Sequence, residues 1–138
     1  MRWRVAFLTG LWLSCGGGGG HILEDGRIYI WNGLEPTDNP AYDHTAIATF
    51  YDEDLSTEVV TYIPPGGNKK PLGADNPEYG SQGKLFGGGT RVSLHIRAKE
   101  NGDPHWEGEL TVDGNMTVRV VRILGHESGV LECQVTGG

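Results

Sequence analysis

Cysteine is nearly missing from this chain: 138 residues contain only Cys15 and Cys133. Two thiols cannot build a disulfide framework, and no C-x-x-C pair or Cys/His spacing marks a zinc site. Base is scarce as well. Eleven lysines and arginines stand against eighteen aspartates and glutamates, for a formal net charge of −7. An acidic surface repels phosphate backbones and anionic lipid headgroups, so nucleic acid is excluded from the expected partners. The longest apolar run, residues 5–13, falls well short of the ~20 residues that span a bilayer. No convincing helical period follows residue 20, so the glycines at 87–89 open no helix on which a phosphate could sit. No G-x-S-x-G elbow presents a serine nucleophile, and no internal repeat is visible.

What the chain does have begins at its first residues. Arg2 and Arg4 precede the apolar run, and a small residue, Ser14, then Cys15 and five glycines come after it. Basic start, short greasy middle and small-residue cleavage point are the layout of an export signal. The segment Trp12-Leu13-Ser14-Cys15 resembles the lipobox of bacterial lipoproteins, with Ser14 in the small position and Trp12 and Leu13 departing from the usual types. The resemblance covers residues 1–15 alone. It implies a signal peptide over 1–14, a covalent lipid on Cys15, and attachment to a bacterial cell envelope, with Gly16 favouring the outer membrane or cell surface. Two or three acyl chains make such an attachment durable. Residues 15–26 then read as a tether, whose glycines span roughly 12 Å r.m.s.. An ordinary secretory signal, or a native first strand, are the alternatives. Losing residues 1–14 removes Arg2 and Arg4 and leaves a charge of −9.

Residues 27–138 are long enough for one β domain with a core of its own. Strands are expected at 27–31 (RIYIW), 45–51 and 57–63, the last two joined by an acidic hairpin at 52–56. Residues 64–89 hold four prolines and eight glycines and read as a long loop, of the kind that is commonly functional. In the last third, strands at 90–98, 105–112, 116–124 and 130–136 are expected to form a four-stranded meander. Turns centred on Gly102 and Gly114 would set Val92 against Val112, and Leu110 against both Leu94 and Val118. The fold class expected is all-β: an antiparallel sandwich or small barrel of about seven strands, with the first three supplying a second sheet.

Several side-chain groups carry candidate chemistry. In the meander register, His95, Glu109 and Arg119 lie side by side, either as a small acid–base or anion site or as a solvated charge ladder. Asp52 and Asp54 are a weak calcium candidate, because the loop lacks the glycine and glutamate an EF-hand places at its sixth and twelfth positions. Asp38, Asp43 and His44 form a second acidic loop. Tyr79, Phe86, Lys69 and Lys70 in the long loop, with Tyr29 and Trp31 on the first strand, are the candidate binding residues; exposed aromatics there would stack on a sugar. Cys133, at an inward position of the last strand, reads as a buried, unreactive thiol. Asn115-Met116-Thr117 matches a glycosylation sequon, relevant only in a eukaryotic secretory route.

With no convergent catalytic set, the expected function is a lipid-anchored envelope module that binds a protein or glycan partner, or serves a structural role, with no cofactor beyond the lipid. Two alternatives stand beside it. One is a hydrolase of envelope polymer using Glu107 and Glu109 with His95; the other is a subunit that assembles by pairing strand to strand.

Overall fold

The computed structural model describes residues 22–125 and 129–137. The signal over 1–14, the lipidation site Cys15 and the glycine tract at 16–20 lie outside the described residues. Among the described residues every regular element is a strand: β1 (Ile28–Asn32), β2 (Ala46–Asp52), β3 (Thr57–Ile63), β4 (Asn68–Pro71), β5 (Arg91–Ala98), β6 (His105–Thr111), β7 (Met116–Leu124) and β8 (Val130–Gly137). They form one sheet in the order β3-β2-β5-β6-β8-β7-β1-β4, curled into a nearly closed barrel. The fold is therefore all-β, with eight strands in a single sheet rather than seven in two.

Alternation fills the barrel from seven of the eight strands, β4 being the exception. Ile28 and Ile30 of β1, Ala48 and Phe50 of β2, Val59 and Ile63 of β3, Leu94 and Ile96 of β5, Leu110 of β6, Val118 and Val120 of β7, and Leu131 of β8 make one buried cluster. β2 and β3 form the expected hairpin, with Asp52 opposite Thr57. At its tip the Asp54 N–H donates to the Asp52 carboxylate (2.9 Å), an Asx turn that lets Ser56 take a positive φ of 54°.

The meander is corrected in two ways. β5 and β6 do pair, but Val92 faces Leu110 and Leu94 faces Gly108, two residues from the expected register. A two-residue slip keeps every side chain on its own face, so alternation cannot detect it. β6 and β7 do not pair at all. β8 lies between them, antiparallel to β7 and joined to β6 by one parallel bridge, and β1 runs parallel along the other side of β7. The turn at 113–115 is claimed by the start of the domain instead. Gly114 N–H donates to Glu24 C=O (2.7 Å), Met116 N–H donates to Arg27 C=O (2.9 Å), and the Asn115 side chain accepts from Arg27 N–H (2.8 Å). Gly26 passes so close that a Cβ there would lie 2.0 Å from the Gly114 carbonyl. Residues 24–26, expected in the tether, thus belong to the barrel.

The long loop is corrected as well. Gly66 and Gly67, both at φ near +90°, turn the chain into β4, which pairs antiparallel with β1. Beyond it Leu72 and Phe86 are buried in the core, and Gly26 and Phe86 bond to each other in both directions. Residues 64–89 therefore complete the wall of the barrel. Where the edge strands β3 and β4 meet, side chains make the closure. Asp75 accepts the Tyr62 N–H (2.8 Å), and Lys70 donates to the Tyr62 C=O (2.8 Å) and to Asp75 (2.6 Å). The two side chains bond the peptide groups of Tyr62 as a neighbouring strand would, which blunts an otherwise open edge.

Candidate functional site

β1 carries the arrangement best suited to binding. Its alternation sends Ile28, Ile30 and Asn32 inward and Tyr29 and Trp31 outward, with Arg27 continuing the outward series just before the strand. The neighbours add cations to the same outer face. Lys69 of β4 sits opposite Trp31 on one side, and Arg119 of β7 sits opposite it on the other. The Arg119 guanidinium lies over the Trp31 ring at 4.6 Å, and the Lys69 ammonium lies 5.2 Å from the Tyr29 ring centre. Both are cation–π contacts, worth about 0.5–1 kcal/mol at an exposed site. Trp31 keeps 36 % of its surface exposed. Gln134 and Thr136 of β8 extend the face beyond β7.

Charge accounting separates this face from the rest of the molecule. Lys70 pairs with Asp75, Lys84 with Asp52 and Asp54, Arg91 with Glu109, Arg97 with Asp103, Lys99 with Asp43 and Arg122 with Glu132. Among the described residues, only Arg27, Lys69 and Arg119 have no carboxylate at ion-pair distance. Arg27 donates to the Gln82 carbonyl (2.9 Å), which orients it without neutralising it.

The remaining candidate residues fall elsewhere. Phe86 is buried and packs edge-on against Phe50 at 5.3 Å. The Tyr79 hydroxyl donates to Asp52, and Lys70 is held in the seam between β3 and β4. Of the loop's candidates, only Lys69 joins Tyr29 and Trp31. His95 faces Glu107 (3.8 Å), Glu109 faces Ser93 and reaches Arg91 (3.3 Å), and Arg119 is two strands away with β8 between. The expected His95–Glu109–Arg119 group is not assembled, because β6 and β7 do not pair. His95 and Glu107 stand on the open exterior, where water competes for any proton they exchange.

The calcium candidate is overturned by a residue that sequence reading left aside. Lys84 reaches into the barrel end and donates to Asp52 (2.7 Å) and Asp54 (2.7 Å), with the Phe86 ring 5.5 Å beneath it. An ammonium stands where the metal was expected. Asp52 is 1 % exposed. Burial by itself would push its carboxyl up, but bonds from Lys84, Tyr79 and the Asp54 N–H hold it below its ordinary value. The lysine follows the same logic: burial disfavours its charge, the carboxylates more than restore it, and its pKa rises.

Two further polar anchors hold the structure, of which the sequence marks His44, as part of an acidic loop, but not Asn32. Asn32 is fully buried, donating to the Ile63 (2.8 Å) and His44 (2.9 Å) carbonyls and accepting from Leu34 N–H (3.1 Å). Its signal was available, as a polar residue at an inward position in the 28, 30, 32 series. His44, at φ 63°, bridges the Glu35 carbonyl (2.7 Å) and the Glu100 carboxylate (2.6 Å). Comparison with protein-family models, curated proteins and solved structures finds no match to the chain.

Proposed function

We propose that this chain is a non-catalytic binding module of a bacterial cell envelope, anchored by lipid on Cys15, that holds a glycan or protein partner on the outer face of β1. One observation carries the reading: in an acidic protein, the cations that have no carboxylate among the described residues gather around two outward aromatics on one face. The export-signal layout of residues 1–15 and the glycines after it support placement beside a membrane. The hydrolase alternative has less support, since Glu107, Glu109 and His95 are spread over an exposed sheet exterior. Strand-pairing assembly has less too, since Lys70 and Asp75 occupy the peptide groups of Tyr62 at the seam.

The test is sedimentation of purified full-length protein with envelope material, comparing wild type with Trp31→Ala, Arg119→Ala and the pair Glu107→Gln/Glu109→Gln. Binding lost with the first two and kept in the third is expected. The opposite pattern would move the site to the β5–β6 exterior. For the anchor, intact mass of wild type against Cys15→Ser should differ by the acyl groups; equal masses, apart from the substitution, would remove the lipid.

A further inference from the structure

Resting on the binding-face reading above, we infer that the partner is an acidic glycan, a polymer of sugar rings bearing spaced carboxylates. Three features of the β1 face lead there.

The first is how its cations are presented. A guanidinium 4.6 Å from an indole centre is held by the ring without losing its N–H groups, the ones that grip a carboxylate bidentately. Arg119 is therefore held ready by Trp31, and Lys69 is steered by Tyr29 in the same way. No carboxylate among the described residues lies at ion-pair distance from either. Elsewhere an abundance of acid has found each described lysine and arginine a partner, so an incoming carboxylate meets charge already in place and breaks no ion pair.

The second is spacing. Lys69 and Arg119 lie one strand to either side of Trp31, about 9.6 Å apart at the interstrand repeat. Arg27 precedes Trp31 by four residues, about 13 Å along the strand. Cations rooted at backbone positions this far apart suit anions carried on separate sugar rings. They do not match a nucleic-acid duplex, with a phosphate charge every ~1.7 Å of axis, and the net negative charge of the whole chain opposes so dense a polyanion.

The third is the nature of the surface. β1 has β4 on one side and β7 on the other, so it has no free edge to lend a peptide backbone. It does offer an indole with 36 % of its surface open, and a pyranose would pack its C–H face on the part that Arg119 leaves clear. Gly67 lies beside the ring, where a Cβ would stand 3.8 Å from the indole nitrogen. Each contact on an open, hydrated exterior is weak, so useful affinity requires several at once, as a repeating polymer supplies.

The experiment uses full-length protein in detergent and three probes: oligogalacturonate, its carboxyl-reduced neutral counterpart, and poly-glutamate. Calorimetry is expected to show binding to oligogalacturonate alone, weakening as salt is raised. Arg119→Gln and Lys69→Gln should each reduce affinity roughly tenfold, the scale of a charged hydrogen bond, with Arg119→Lys intermediate. Unchanged melting temperatures in these surface variants exclude misfolding. Equal binding of the neutral oligomer overturns the acidic specificity but leaves a glycan face. A preference for poly-glutamate overturns it in favour of a protein partner. If no probe binds while Trp31→Ala still abolishes envelope sedimentation, the acidic-glycan inference fails and the binding face survives. If that substitution also has no effect, both fail together.

Discussion

Replacing Lys84 by Met should be among the most damaging single changes the barrel can receive. The substitution keeps the stem that packs near Phe86 and Tyr79 but deletes the ammonium 2.7 Å from Asp52. Asp52, at 1 % exposure, would then be a buried carboxylate held only by the Tyr79 hydroxyl and the Asp54 N–H. Breaking a buried pair from one side costs about 3–5 kcal/mol. Two surviving hydrogen bonds put the expectation at the low end, about 3 kcal/mol, or roughly 12 °C in Tm for a domain of this size. The bond from Lys84 to Asp54 adds little, because the Asp54 side chain is 81 % exposed. Acid supplies an internal control. In the wild type the Asp52 pKa is depressed, so its stabilisation is complete above the unfolded value of 3.8 and is lost as pH falls through the folded value. Lys84→Met removes the main depressing partner, so its deficit should shrink on acidification, as protonation discharges Asp52. Urea melts of both proteins from pH 7 down to below pH 3.8 measure this, alongside the double variant Asp52→Leu/Lys84→Met, which should regain much of the loss. A single variant within about 1 kcal/mol of wild type at pH 7, or a double variant no better than the single, would refute the reasoning.

Asn32→Leu should cost about 3 kcal/mol, since it strands the Ile63 carbonyl and the Leu34 N–H in the core; a urea midpoint within error of wild type would contradict that. For His44, burial alone would lower the pKa, but bonds to Glu100 and the Glu35 carbonyl raise it above 6.5. Its contribution is therefore full below 6.5 and is lost as pH rises through the folded value, so the stability gap between wild type and His44→Gln should narrow on going alkaline. A gap that widens above neutrality reverses the sign and rejects the account. At Cys133, burial first and then the Glu132 charge push the thiol up to about 12. Alkylation by iodoacetamide at pH 8 should be slow in folded protein and fast in urea; rapid labelling of the native protein would mean the thiol is open.

The sequence revealed the strands where alternation met a one-sided environment. TEVVTYI buries alternate residues, TAIATFY does so from Ala48 onward, and a short acidic tip joins them, so the β2–β3 hairpin follows from local pattern alone. It misled at β7. The inward residues of β7 fit β1, β6 and β8 equally well, and alternation records which face is apolar, not which strand lies alongside. What selects β1 is a group of backbone bonds from Glu24 and Arg27 to residues 114–116, set almost ninety residues apart in the chain. The paired Val120 and Val121 carried a hint, since they break the alternation and the register with β8 shifts there through a bulge. Proline and glycine hid β4, whose four residues NKKP have no strand propensity and exist as a strand because β1 requires a partner. The candidate face was legible in half: Tyr29, Trp31 and Lys69 were singled out, while Arg119 was assigned to the wrong neighbours for want of the correct strand order.

The place of β1 bears on how the molecule is made. Tyr29 is matched to Thr117, 88 residues later, so the first of the described strands waits for nearly the last before its hydrogen-bond ladder on that flank can close. Long-range pairing of this kind slows folding. Until residues 116–120 are available, that flank of β1 has no strand to pair with.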